Sequence, residues 1–471
     1  MNKRIAIIGG GIAGVTAAWQ IAQFAQSGAP IEAHLFESSG RLGGTVETVH
    51  EAGFTVECGP DAWVTEKPWA RDLAQELGLD GDLLASNDST RKTHILLNGR
   101  LETMPDGMRM MVPANLEALS TPDAQHLFSP AARLAYHNEL NRAGELQRSA
   151  PLEDESIASF TRRHFGEEVL ARMAAPLLSG ILGGDVETLS VRAVMPQFVA
   201  MERRHGSLIA ALQARSSETP APIFTTLRSG LGTLIDRLVT GIPPAWVHLQ
   251  TPVTAIERSS ETWTLRTAAN VSQQTFDAVF LAAPTHIARN LVRPLDQQAA
   301  NIMAMEASSA IVVALGFLDA QHLSLPPGFG FLVPPAPGLH LLACTFVDQK
   351  FDSRVPTNGR LLRAYFGSGA AEALLSATGD SNDADAQLAA LAIAGLTRIL
   401  GPLPTPDLTL VRRWPHSLPQ YTVGHLTRMS ALDRRIAALP GLTLLGNGYR
   451  GVGLPDLIRD ARAAAHNVLN P

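Results

Sequence analysis

The chain has 471 residues, 45% hydrophobic and 17% charged, with a formal net charge of −6. That length predicts two or three domains, the composition excludes a disordered chain, and the acidic balance excludes nucleic acid as the main partner. Two cysteines, Cys58 and Cys344, make no disulfide framework and fit a reducing cytoplasm; no cysteine–histidine cluster has metal-ligand spacing, and no run of ~18 apolar residues reads as a transmembrane helix.

Residues 4–14 form an apolar run that ends in Gly9, Gly10, Gly11 and Gly14. A helical pattern follows, then a second apolar run, 32–36, closed by Glu37 with Ser38 beside it. This is a strand–turn–helix–strand unit with the dinucleotide fingerprint. Gly9 serves the tight turn, Gly11 lets the backbone approach a pyrophosphate, and Gly14 lets the helix pack closely on the strand. The helix N-terminus then faces the phosphates. Glu37 can accept both hydroxyls of a ribose diol. Four residues on, Arg41 precedes Gly43 and Gly44, a pair suited to a second backbone approach to the same pyrophosphate. Lys3 and Arg4 before an apolar run mimic a signal peptide, but the fingerprint accounts for that run better.

Two alternating runs around Gly53 predict a β-hairpin that ends at the Gly59, Pro60, Asp61 turn. Residues 67–78 predict a helix between Pro68 and Gly78, and 94–101 a hairpin on an Asn98–Gly99 turn. From 104 to 213 strand signals vanish and apolar spacing turns helical, which predicts an inserted helical domain. Met104, Met108, Met110 and Met111 read as core filler; lining for a large flat ligand or a membrane-touching patch is the alternative. Strands return at 223–228, 246–249, 252–257 and 263–266. The run 276–283, cut by Pro284, predicts a parallel strand returning to the nucleotide sheet. Strands at 311–317, 339–346 and 360–366 with a helix at 384–400 predict a mixed-sheet second domain, and 326–337 reads as a Pro/Gly-rich loop. Last, a strand from Leu442 ends at Gly446, Asn447, Gly448, and Pro455 opens a helix through His466. Such a helix end can stabilise negative charge on the pyrimidine edge of a reduced flavin; an ordinary C-terminal strand–helix unit explains the stretch equally well.

The fingerprint with Arg41 and Gly43–Gly44, the stretches 53–61, 176–190 and 206–209, Arg413–Trp414 with Leu418 to Tyr421 and Gly424–His425, and 446–456 together resemble the FAD-dependent porphyrinogen oxidases of the flavin amine oxidase superfamily, along essentially the whole chain. The resemblance implies an α/β fold: a Rossmann-like FAD-binding domain in three segments (1–95, 216–295, 413–471), a helical insertion (96–215) and a mixed-sheet substrate domain (296–412). It implies the six-electron, oxygen-using oxidation of coproporphyrinogen III or protoporphyrinogen IX in haem biosynthesis. Thr93 stands where the mitochondrial protoporphyrinogen enzymes carry an arginine. Lys67 and the Met104–Gly107 loop resemble the Gram-positive coproporphyrinogen enzyme, which tilts the choice to coproporphyrinogen III.

In this reading Gly9, Gly10, Gly11 and Gly14 cradle the pyrophosphate, Glu37 and Ser38 hold the ribose, and Arg41 and Gly44 support the phosphates. Gly59, Pro60 and Asp61 border the isoalloxazine, Val253 meets adenine, Trp414 packs near the flavin, and Val452, Gly453 and Leu454 donate N–H groups to the pyrimidine edge. Lys67 binds a substrate propionate; Arg91, Lys92 and Arg109 are weaker candidates. No catalytic acid or base is assigned: His205 and His425 invite the role, but a lone histidine is more often a satisfied structural residue, and Cys58 reads as packing. No second GxGxxG follows a strand, so the acceptor is oxygen or a quinone, not NADPH. A cytoplasmic location, a peripheral membrane contact and handover to a downstream chelatase are the accompanying expectations. An amine oxidase, a carotenoid desaturase, or a non-catalytic FAD- or porphyrin-binding protein would share this scaffold.

Overall fold

The strand Lys3–Ile8 lies at the centre of a five-stranded parallel sheet. The computed structural model describes residues 2–214, 222–259, 261–268, 274–320, 322–335, 338–379 and 383–469. Strand order across the sheet is Val247–His248, Ile31–Phe36, Lys3–Ile8, Ala278–Leu281, Leu442–Leu444. Side chains alternate between two cores, as a strand covered on both faces requires. Ile5 and Ile7 pack with the helices Ile12–Gln26, Gly232–Thr240 and Leu454–Leu469; Ala6 and Ile8 pack with a three-stranded meander (Val253–Ser259, Thr262–Thr267, Gln274–Phe276) and the helix His425–Ile436.

The second sheet has seven strands, in the order Leu408–Pro419, Ala307–Phe317, Arg360–Gly367, Ala343–Phe346, Gly330–Leu332, Thr93–Leu97, Arg100–Thr103. All neighbours are antiparallel except Gly330–Leu332 with Thr93–Leu97. Ile311, Val313 and Leu315 bury one face under the helix Ala384–Leu400, while Ala314 and Leu361 meet Phe54 and Val56 of the hairpin Thr48–Glu51/Phe54–Glu57 on the other.

The expected helical segment is mostly helical and has its own core, from Met111 and Tyr136 to Phe160, Met173 and Phe198. Met111 is fully buried in that core, as filler would be, while Met104, Met108 and Met110 pack against it half-buried. Pro176 lacks an N–H, and the backbone passes through a π turn, Leu170–Ala174, just before it.

Three expectations move. The hairpin Thr93–Leu97/Arg100–Thr103 crosses the expected 95/96 boundary and belongs to the seven-stranded sheet, because Thr93, His94 and Ile95 pair with Gly330–Leu332. That same pairing makes a strand inside the expected 326–337 loop. Leu408–Pro419 runs across 412/413, paired with Ala307–Phe317 through a bulge at Ser308/Ala310. The boundary at 215/216 lies outside the described residues.

Candidate functional site

The loops that follow Ile8 and Leu444 emerge from the same edge of the parallel sheet, on either side of the turn at Ala282–Ala283. A Cβ on Gly9 would stand 2.6 Å from Ala282 O, and one on Gly446 4.0 Å from Ala283 O. The loops that begin at Gly9 and Gly446 therefore start side by side at one edge of the sheet.

The glycines along the first loop face different things. A Cβ on Gly14 would strike Gly9 O at 1.9 Å, so this position serves helix–strand packing. A Cβ on Gly11 meets nothing within 4 Å: the bare backbone faces open space, as a cradle for a phosphate needs. Gly43 N–H donates to Gly10 O at 2.8 Å, and a Cβ on Gly44 would lie 3.1 Å from Gly11 Cα, so the second glycine pair rests on the first.

Glu37 Oε2 accepts Gly10 N–H at 2.7 Å; Oε1 accepts Ser39 N–H at 2.7 Å and Ser38 Oγ at 3.2 Å. A carboxylate has about four acceptor positions, so it can still take a ribose hydroxyl. Val253 opens its strand in the cluster that holds Phe36, next to Glu37.

Arg41 is turned onto its own loop. Its guanidinium donates to Gly44 O, to Leu42 O at 3.2 Å and to Val46 O at 3.3 Å, and it lies over the Trp414 ring. It braces the glycine loop, a placement in keeping with its expected support of the phosphate-binding backbone.

The 58–61 turn is pinned by Trp414, expected beside the flavin, and by two cations, Arg363 and Lys350, that carry no local signal in the chain. Trp414 Nε1 donates to Cys58 O at 2.8 Å, and Arg363 Nη2 to Gly59 O. Lys350 Nζ lies 3.0 and 2.9 Å from the two Asp61 oxygens, with Arg363 Nη1 at 3.3 Å. Burial would raise the Asp61 pKa, but Lys350 and Arg363 outweigh it and hold the carboxyl below its usual range. Behind them Arg354 faces Glu57, both buried. Pro60 is half-buried in this turn. Burial pushes the Cys58 thiol up to about 11, so it stays protonated and inert, in keeping with a packing role.

In the closing loop, the N–H groups of Val452, Gly453 and Leu454 find no acceptor among the described residues. Three donors at a helix N-terminus suit an anionic or carbonyl edge of a ligand. Lys67 lies beside this loop: its Nζ is 2.6 Å from Asp456 Oδ2, on a carboxylate that is 3% exposed. Its ammonium is thus already engaged, although an ammonium has three donors and this side chain is 46% exposed. Arg109 pairs with Glu66 at 2.8 Å; Arg91 and Lys92 lie partly buried ahead of the strand Thr93–Leu97. His205 ends the helix Pro196–His205, and His425 is fully buried with Nε2 3.0 Å from Tyr449 O, a structural placement.

A model of the family described as flavin containing amine oxidoreductase matches residues 12–469. The coproporphyrinogen III oxidase of Bacillus subtilis (strain 168) is 31% identical over 99% of this chain and 98% of its own length. Protoporphyrinogen oxidase 1, chloroplastic, of Arabidopsis thaliana is 28% identical over 98% of this chain and 87% of its own. The crystal structure of a protein provisionally named a protoporphyrinogen oxidase, from Exiguobacterium sp. 255-15, superposes with a TM-score of 0.84 at 30% identity, covering 100% of this chain and 99% of that one.

Proposed function

The chain belongs to the flavin containing amine oxidoreductase family and, within it, to the porphyrinogen oxidases, and we propose that it oxidises coproporphyrinogen III to coproporphyrin III with FAD as cofactor and molecular oxygen as acceptor. The observation that carries this is the end-to-end similarity to a coproporphyrinogen III oxidase, at 31% identity with no large unmatched segment. The substrate loses six electrons and six protons in three rounds, and each round reduces one oxygen to peroxide.

Bound flavin supplies the two-electron chemistry. The chain's own residues hold and orient. The open backbone at Gly11, the Glu37 carboxylate and the unpaired donors at 452–454 fit the pyrophosphate, ribose and pyrimidine edge of FAD respectively. Gly59–Asp61, fixed by Lys350 and Arg363, would border the isoalloxazine. The part of the seven-stranded sheet's face opposite the helix Ala384–Leu400 that the hairpin Thr48–Glu51/Phe54–Glu57 leaves uncovered would be the substrate floor, and the helical segment its roof.

Purified protein given anaerobically prepared coproporphyrinogen III, protoporphyrinogen IX or an amine, then air, tests this. Porphyrin fluorescence and peroxide should rise fastest with coproporphyrinogen III. A faster reaction with protoporphyrinogen IX, the reading that the Arabidopsis relative favours, would reverse the substrate choice. Flavin that stays oxidised with every porphyrinogen would remove the activity altogether.

We assign one propionate to the remaining donors of Lys67. Lys67→Ala should raise KM about tenfold for the four-carboxylate substrate, the scale of a charge-assisted hydrogen bond, and less for the two-carboxylate one. Equal effects on both would take Lys67 out of propionate recognition. A peripheral membrane contact and a chelatase as the next enzyme stand as proposals; among the described residues no helix is long and apolar enough to cross a membrane.

A further inference from the structure

Tyr421 sits between the helical segment and the closing loop. Its Oη donates to Asn447 O at 2.6 Å and accepts Gly451 N–H at 3.0 Å, so one oxygen spans both ends of the loop. Its ring stacks on buried His425 at 3.8 Å and 12°, and His425 in turn reaches Tyr449 O. Its own carbonyl accepts Ser190 N–H from the helical segment at 2.8 Å, and Val423 N–H donates to Thr188 O. Gly446, at φ +119°, precedes the clamped Asn447, and Gly451, at φ +153°, is itself the second clamped residue. Glycines at both ends leave the loop free to hinge, so its shape depends on side chains that cross it.

We propose that Tyr421 is the positioning residue of the flavin site: its hydroxyl fixes the 447–451 loop, and thereby the aim of the Val452, Gly453 and Leu454 N–H groups, while its backbone ties that loop to the helical segment. Burial keeps the phenol protonated, so the donor to Asn447 O persists at all working pH values. The proposal rests on the flavin-site reading above but on no choice of porphyrinogen. Fixed donors at the pyrimidine edge favour the anionic form of the flavin, because they are oriented before charge develops.

Tyr421→Phe removes one oxygen and keeps the stack on His425. The variant should bind FAD, and the affinity of the oxidised flavin for sulfite, which adds to make an anionic adduct, should fall about tenfold, the worth of roughly one hydrogen bond. In the cofactor-free protein, hydrogen exchange at the Gly451 amide should speed up while amides in the strand Lys3–Ile8 keep their rates. Wild-type sulfite affinity together with an unchanged Gly451 rate would overturn the proposal. Neither readout needs a porphyrinogen, so failure here leaves the oxidase reading standing, and failure of the oxidase assay leaves this test intact.

Discussion

His164→Leu should cost the folded protein about 3–5 kcal/mol, the range for breaking a buried ion cluster by removing one partner. His164 is fully buried at the end of the helix Ile157–Phe165. Its Nδ1 lies 3.0 Å from Glu139 Oε1 and its Nε2 3.2 Å from Glu202 Oε1. Both partners are carboxylates, so a neutral ring, which has one bare nitrogen, would set a lone pair against an oxygen. Burial alone would push the imidazole pKa down, but the hydrogen bonds to Glu139 and Glu202 outweigh it and hold the ring above its usual value. Glu139 also accepts Ser207 Oγ and Leu208 N–H, each at 2.6 Å, and Arg163 bridges Glu202 and Glu155. Three helices of the helical segment thus meet on this ring, and a fourth, Leu208–Ala214, reaches it through Glu139.

The pH dependence follows from the direction of each shift. A raised folded pKa means that the stabilisation from His164 is full below about 6.5, the unfolded value, and is lost as pH rises through the folded one. For Glu202, burial raises the pKa but His164 and Arg163 outweigh it; its net pKa is lowered, so its contribution is lost as pH falls through that depressed value. The stability gap between wild type and His164→Leu, read from urea midpoints across pH 6 to 9, should therefore narrow toward the alkaline end. A gap below about 1 kcal/mol, or one that does not move with pH, would contradict a charged His164.

What the sequence made legible divides by the range of the interaction. The 9–14 cradle, Glu37 and the 446–456 loop could be read because each motif is contiguous and its chemistry is set by neighbours in the chain. The helix Ala384–Leu400 was readable from its apolar spacing and the Gly401 stop. The strand Gly330–Leu332 was not, because Pro326, Pro327, Gly328 and Gly330 spell a loop and only its two neighbours in the sheet make it a strand. The charges at the 58–61 turn come from Lys350 and Arg363, about three hundred residues away, and nothing local distinguishes them from surface cations. His164 follows Arg162 and Arg163 at a helix C-terminus, a pattern that reads as an exposed basic turn. Tyr421 lay inside a stretch that carried the family resemblance, yet its hydroxyl acquires a role only where the chain folds back at Asn447 and Gly451.

Gly11→Ala and Gly14→Ala should separate two roles that one fingerprint merges. At Gly14 the added methyl would stand 1.9 Å from Gly9 O and 3.3 Å from Ala282 Cβ. No rotamer relieves a Cβ, so the helix Ile12–Gln26 must shift off its sheet. Overpacking of this kind costs about 1–3 kcal/mol or more in the protein itself, before any cofactor binds. At Gly11 the backbone is at φ −69° and ψ 177°, which alanine adopts without strain, and its Cβ would touch nothing within 4 Å. The cofactor-free Gly11→Ala protein should be as stable as wild type or gain about 0.4–1 kcal/mol through a less flexible unfolded chain. Its methyl would instead occupy the space through which a pyrophosphate reaches the helix N-terminus. FAD affinity should fall about ten- to hundredfold, which is that same overpacking cost displaced from folding to binding. Urea denaturation of both cofactor-free variants, with FAD titrated by fluorescence quenching, reads the two effects separately. A Gly11→Ala protein that binds FAD as wild type does would mean the dinucleotide does not lie across this loop, and the assignment of the site would fall with it.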